Sequence, residues 1–205
     1  MEDRQVFVRG RDNQTFAMPI NDLSILAATT DEYSLLPPMR DRFKVILPFT
    51  FYDVESLAQI ATQRAGMMGI LLTEDIAQEI AKRSRGTPRL VVRLIEACHR
   101  YARSKGDSQV TEDHFTATLK LEGLDDLGLG PDEQRYLRHL SQRQEPVRLT
   151  VLESALGIHR KTLQTVVEPF LLRVGLIERS ERGRTITEQG LRHLNMLVNC
   201  DSVKA

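Results

Sequence analysis

The apolar residues change their spacing at Asp53, and that change limits what this chain can fold into. Before Asp53 they alternate in short runs. After it they recur about every 3.6 residues, the repeat of one face of a helix. Leu57, Ile60, Ala61 and Arg64 begin a helix that Gly66 and Gly69 end. Thr73 is placed to N-cap the next, whose apolar face is Ile76, Ala77, Ile80 and Ala81. A third helix starts at Pro88, because a first-turn N–H has no intrahelical partner to lose, and runs through Leu90, Leu94 and Ala97 to about Ser104. Thr111 caps a short fourth. A four-helix module is therefore predicted.

Residues 5–20 read as a β-hairpin: Val6 and Val8 alternate, Gly10 to Asn13 supply turn chemistry, and Phe16, Met18 and Ile20 alternate again. The run LSILAATT, 23–30, reads as a buried strand of a parallel sheet, and a further short strand is expected after Arg42. One strand and a hairpin cannot build an α/β domain, so residues 1–48 are expected to be the end of one. Beyond the four helices, 121–130 (LEGLDDLGLG) is rich in Gly and Asp and reads as a linker. Helices are predicted at 131–143, 149–156 and 160–173, then two short strands around Glu181-Arg-Gly, then a helix at 188–197. That is the element order of a winged helix. Pro169 is expected to kink or shorten its helix. The predicted class is mainly α with a small α/β remnant.

Lys+Arg and Asp+Glu both number 28, so no global field draws the chain onto nucleic acid, and any such binding must use local patches. Cys98 and Cys200 are too few and too far apart for a disulfide scaffold or metal site, which fits a reducing, cytoplasmic compartment. No apolar run approaches the ~20 residues of a membrane span, and the first ten residues lack a signal-peptide core. The five histidines show no metal-ligand spacing. No G-x-x-x-x-G-K-[ST] occurs, and no apolar run leads to an acidic pair that could hold Mg²⁺.

Charge gathers in two places. RSRGTPRLVVR, 83–93, sets arginines around a turn at a helix start, where the helix dipole disfavours cations and favours anions. A phosphate is the natural counter-group. The wing and its neighbouring helix, 159–192, hold Arg160, Lys161, Arg173, Arg179, Arg182, Arg184 and Arg192 against only four acids. Wing arginines typically meet DNA phosphates, although winged helices also bind proteins. Thr29 and Thr30 end the expected strand, where a hydroxyl can orient a water or phosphate. Arg40 and Arg42 flank Asp41, free to reach a neighbouring subunit's phosphate or to pair with Asp41 or Glu32.

These segments together resemble the C-terminal part of the RuvB family, bacterial AAA+ motors that drive Holliday-junction branch migration. The resemblance runs through LAATT, LPPMRDRF, FYDVESL, RSRGTPR, GLDDLGL, VEPFLLRVGLIER and RGR. It implies three parts: 1–48, the end of the AAA+ large domain; 49–123, a helical lid; 124–205, a winged-helix DNA-binding domain. It implies that Thr30 is sensor 1, with Thr29 beside it, and that Arg42 is an arginine finger acting in trans. It puts Tyr52 near the adenine and makes Arg89 the sensor-2 arginine. Arg179 and Arg184 are implied DNA contacts, and the hairpin 5–20 is implied to dock a RuvA-like junction-binding partner. The full-length family uses ATP and Mg²⁺ in a homo-hexameric ring on DNA. Its P-loop and Mg²⁺-holding acids, the Walker A and B motifs, precede the segment matched here, so this chain by itself is expected to bind no cofactor tightly and to lack ATPase activity. The family's usual Arg-Ala-Gly after ATT is replaced by Asp31-Glu32-Tyr33, and its Gly after RF by Lys44. The chain is expected to be either a truncated piece of such a motor or a diverged remnant, a stand-alone DNA-binding or adaptor protein.

Overall fold

Alternation in the first residues produces a hairpin. Strand β1 (Gln5–Arg9) pairs antiparallel with β2 (Thr15–Pro19), Val6 opposite Met18 and Val8 opposite Phe16. The computed structural model describes residues 5–9, 13–19 and 24–202 (side chains of the last six excepted), in two compact units, Met1–Phe49 and Thr50–Ala205. Positions 10–12 and 20 of the expected hairpin lie outside the described residues, as does Leu23. Asn13 holds φ +61, the left-handed geometry of a turn.

The first unit corrects the sequence reading. Residues 24–30 form no strand, and Leu26 is 93% exposed. Residues 45–49 are likewise irregular. A parallel-sheet strand exists only where neighbours satisfy its backbone groups and cover both faces. The described strands pair only as β1 with β2 and β3 (Ile177–Arg179) with β4 (Arg184–Ile186). Between the irregular stretches lie a 3₁₀ turn (Glu32–Ser34), capped by Asp31, and the short α1 (Pro37–Arg40).

In the second unit, helix α2 (Val54–Met67) starts at Asp53, whose carboxylate accepts from the Ser56 N–H at 2.7 Å. That bond, then one from the Ser56 hydroxyl, holds the carboxyl below the usual range. Helix α3 (Glu74–Arg83) is capped by Thr73, α4 (Pro88–Ser104) opens on Pro88, and α5 (Glu112–Glu122) is capped by Thr111. Leu57, Ala61, Ile80, Val91, Ile95 and Cys98 close their common core.

A second core is built by α6 (Pro131–Ser141), α7 (Leu149–Leu156), α8 (Arg160–Thr162), α9 (Glu168–Arg173), the β3–β4 wing and α10 (Glu188–Ser202). Tyr136, Leu137, Leu152, Leu163, Leu171 and Ile177 fill it. Val147 bridges antiparallel to Arg184 and extends the wing. A π turn (Leu163–Val167) joins α8 to α9. Pro169 has no N–H to offer the Thr165 carbonyl; the Glu168 N–H bonds Leu163 instead, and the helical path continues.

The expected linker is also corrected. Asp125 is buried, and its Oδ1 accepts from the Leu127 and Leu129 N–H groups at 2.9 and 2.7 Å. Its Oδ2 pairs with His193 Nε2 on α10 at 2.9 Å. Gly128 sits at φ +71, where a Cβ would stand 2.2 Å from the Arg83 carbonyl oxygen. The Gly and Asp that suggested flexibility here permit a close approach and organise a turn. Among the described residues no helix is long and apolar enough to cross a membrane.

Candidate functional site

The turn in RSRGTPR is made by Arg85 at φ +52 and Gly86 at φ +75. The Gly86 carbonyl accepts from the Tyr52 N–H at 3.1 Å, and a Cβ on Gly86 would meet Phe51 at 2.7 Å. The turn thereby fixes Tyr52 beside the start of α4. Not all its arginines await an anion. Arg83 bonds Glu79 at 2.5 Å and Asp126 at 2.9 Å, and lies over Phe115. Arg85 bonds Glu133 at 2.7 Å and the Gly128 carbonyl, and its guanidinium lies 4.7 Å from the Phe170 centroid. Arg173 donates to the Arg85 carbonyl at 2.5 Å and stacks on Phe51 at 3.5 Å. Burial, then the Arg85 charge, lowers the Arg173 pKa. The expectation of a phosphate as counter-group for this cluster is corrected at Arg83 and Arg85, whose partners are acids and a carbonyl of the chain itself: they and Arg173 bind the four-helix module to the second core.

Arg89 is different. It is exposed and pairs with no acid among the described residues. It faces an open groove of about 570 Å³. One wall is α2, through Ile60, Gln63, Arg64 and Met67; the other is α4, through Pro88, Arg89 and Val92; Tyr52 lies at its edge. Tyr52 and Arg89, both given a nucleotide role by the RuvB resemblance, share this groove. It combines an aromatic ring, apolar walls and unneutralised cations.

In the wing, Arg179 and Arg182 are exposed. Arg184 is not. Its Nε bonds Glu168 at 2.9 Å, the same carboxylate accepts from the Tyr136 hydroxyl at 2.8 Å, and the Arg184 and Glu168 side chains are 9% and 2% exposed. A guanidinium buried on a carboxylate is not presented to a phosphate, so the expectation of a DNA contact at Arg184 is corrected to a structural role. Burial, then the Glu168 bond, drives the Tyr136 pKa upward.

Thr30 and Arg42 lie in the first unit and are exposed, Thr30 at a bend and Arg42 just after α1. Thr29 Oγ1 accepts from the Asp31 N–H at 3.0 Å. Arg40 pairs with Glu32 at 2.6 Å, the local ion pair weighed from sequence. Arg42 has no such partner among the described residues.

Two family models match the chain: the RuvB AAA lid domain over 52–125 and the RuvB C-terminal winged helix domain over 126–195. The chain is 35% identical over 199 residues to the Holliday junction branch migration complex subunit RuvB of Prochlorococcus marinus, covering 96% of this chain and 56% of that protein. It is 34% identical over 203 residues to the same subunit of Rubrobacter xylanophilus, covering 97% and 57%. The solved Thermotoga maritima RuvB Holliday junction branch migration motor superposes with a TM-score of 0.69 at 35% identity, over 78% of this chain and 55% of that one.

The chain belongs to the RuvB family.

It spans just over half the length of the curated RuvB relatives it matches. The RuvB lid and winged-helix matches meet between Asp125 and Asp126, inside the loop that Asp125 organises. Sequence reasoning missed Asp125, Glu133, Glu168 and Tyr136. Glu168 carried one signal, an acid within an otherwise apolar helical run; the others looked like ordinary surface residues. Among the described residues no three His, Cys, Asp or Glu side chains gather to hold a metal ion.

Proposed function

We propose that this chain is the lid and DNA-engaging part of an ATP-driven RuvB motor for Holliday-junction branch migration, with 1–48 the end of its AAA+ large domain, 49–123 its lid and 124–205 its winged helix. The observation that carries this reading is the groove shared by Tyr52 and Arg89 in a chain whose lid and winged helix match RuvB. Tyr52 would lie against the base and Arg89 against the phosphates of ATP. A guanidinium suits that task because it stays charged and offers a fork of donors to phosphate oxygens. Thr30 is read as sensor 1 and Arg42 as the finger reaching a neighbouring subunit of a hexamer. The hairpin at 5–20 is the docking element for a RuvA-like partner. Its apolar residues support this, for Phe7, Phe16 and Met18 are more than half exposed.

DNA falls to the wing. Arg179 and Arg182 are exposed there while Arg184 holds the strand from behind. Duplex binding measured by fluorescence anisotropy across a salt series tests this. Arg179→Ala should weaken binding and reduce the slope of log K against log salt by about 1, the effect of losing one phosphate contact. Unchanged affinity and slope would remove Arg179 from the DNA interface. Nucleotide-dependent ring assembly separates the motor from a stand-alone DNA-binding protein.

A further inference from the structure

The groove carries a second cation that the roles assigned above leave unused. Arg64 lies in the last turn of α2 and lines the wall opposite Arg89. On a helix surface an acid three or four residues away can offset an arginine's charge. Arg64 has Ile60, Ala61, Met67 and Met68 at those positions, and Arg89 has Arg85, Gly86, Val92 and Arg93. Neither pairs with an acid among the described residues, and no acid lines the groove. Two guanidiniums on facing walls therefore share one concave surface without a counter-charge. Tyr52, Ile60, Met67 and Val92 supply its aromatic and apolar part.

We propose that Arg64 and Arg89 together hold the phosphate chain of a nucleoside di- or triphosphate, with its base against Tyr52 and the apolar residues. This rests on reading the groove as the nucleotide site and adds a second phosphate-binding residue to it. A single cation would suffice for one phosphate; two on opposite walls suit a chain carrying several negative charges. Gln63, next to Arg64 on the same wall, offers a donor and an acceptor to the base edge.

The test is an amide NMR titration of the chain, carried to millimolar ligand, with ADP, adenosine and inorganic pyrophosphate as separate probes. ADP is expected to shift Tyr52, Ile60 and Val92 and to bind more tightly than adenosine. Arg64→Gln should weaken ADP and pyrophosphate by about fivefold to tenfold, the scale of one solvent-exposed charge-assisted contact, and leave adenosine unchanged. Arg89→Gln should behave the same way. Arg100→Gln, also exposed on α4 but outside the groove, should change nothing; an equal loss there would reduce the effect to a general field and overturn the proposal. If Arg64→Gln keeps full ADP affinity while Arg89→Gln and Tyr52→Ala lose it, Arg64 is wrong and the nucleotide groove stands. If ADP produces no shifts in the groove, the nucleotide reading falls and the role of Arg64 with it.

Discussion

Deleting the Arg184 guanidinium distinguishes a buried ion pair from a DNA contact. In Arg184→Ala the Glu168 carboxylate stays in the core, its side chain 2% exposed, with the Tyr136 hydroxyl as its remaining side-chain donor. Removing one member of a buried pair costs about 3–5 kcal/mol, because the surviving charge has lost both water and partner. For a chain of this length that lowers Tm by roughly 6–20 °C. Thermal and urea unfolding followed by circular dichroism reads the loss. The double variant Glu168→Leu/Arg184→Met should recover to within about 1–2 kcal/mol of the parent, since desolvation and attraction vanish together. Arg179→Ala, at an exposed position, should stay within about 0.5 kcal/mol. A loss at Arg184→Ala below about 1 kcal/mol, with duplex binding weakened as much as in Arg179→Ala, would refute the buried-pair assignment and return Arg184 to the DNA.

Gly128→Ala should break the junction between lid and winged helix, because the residue sits at φ +71 and its Cβ would strike the Arg83 carbonyl. A loss of about 2 kcal/mol or more is expected, with new protease cleavage within 121–130; a parental digestion pattern would contradict it. Alkaline pH should destabilise the lid through Cys98, whose thiol is pushed up from 9.0 to about 11, chiefly by burial. A raised folded pKa leaves this contribution intact below about pH 9 and erodes it as pH climbs towards 11, by roughly 2–3 kcal/mol in all. Urea midpoints across that range should fall less steeply in Cys98→Ala; parallel slopes would exclude the thiol as the cause.

The local signals of helix entry were legible in the sequence. Thr73 and Thr111 cap the helices they were expected to cap, and Pro88 opens α4, because a cap is made within four residues of chain. The order of helices and wing in the second unit was legible for the same reason, as was the RuvB resemblance. Tyr52 and Arg89 could be named, but only packing of α2 against α4 sets them on one groove and adds Arg64 to it.

What the sequence could not determine was the partner of each charge. Arg83, Arg85, Arg89 and Arg184 are the same residue type in similarly basic stretches. Contacts 43, 48 and 16 residues distant settle three of them: Arg83 with Asp126, Arg85 with Glu133, Arg184 with Glu168. The same limit made 23–30 look like a strand and 121–130 like a linker. A strand requires a neighbour, and a Gly-Asp segment becomes rigid only where another surface closes on it. Both conditions belong to the tertiary structure, since hydrogen bonds and burial across the fold are supplied by residues remote in the chain.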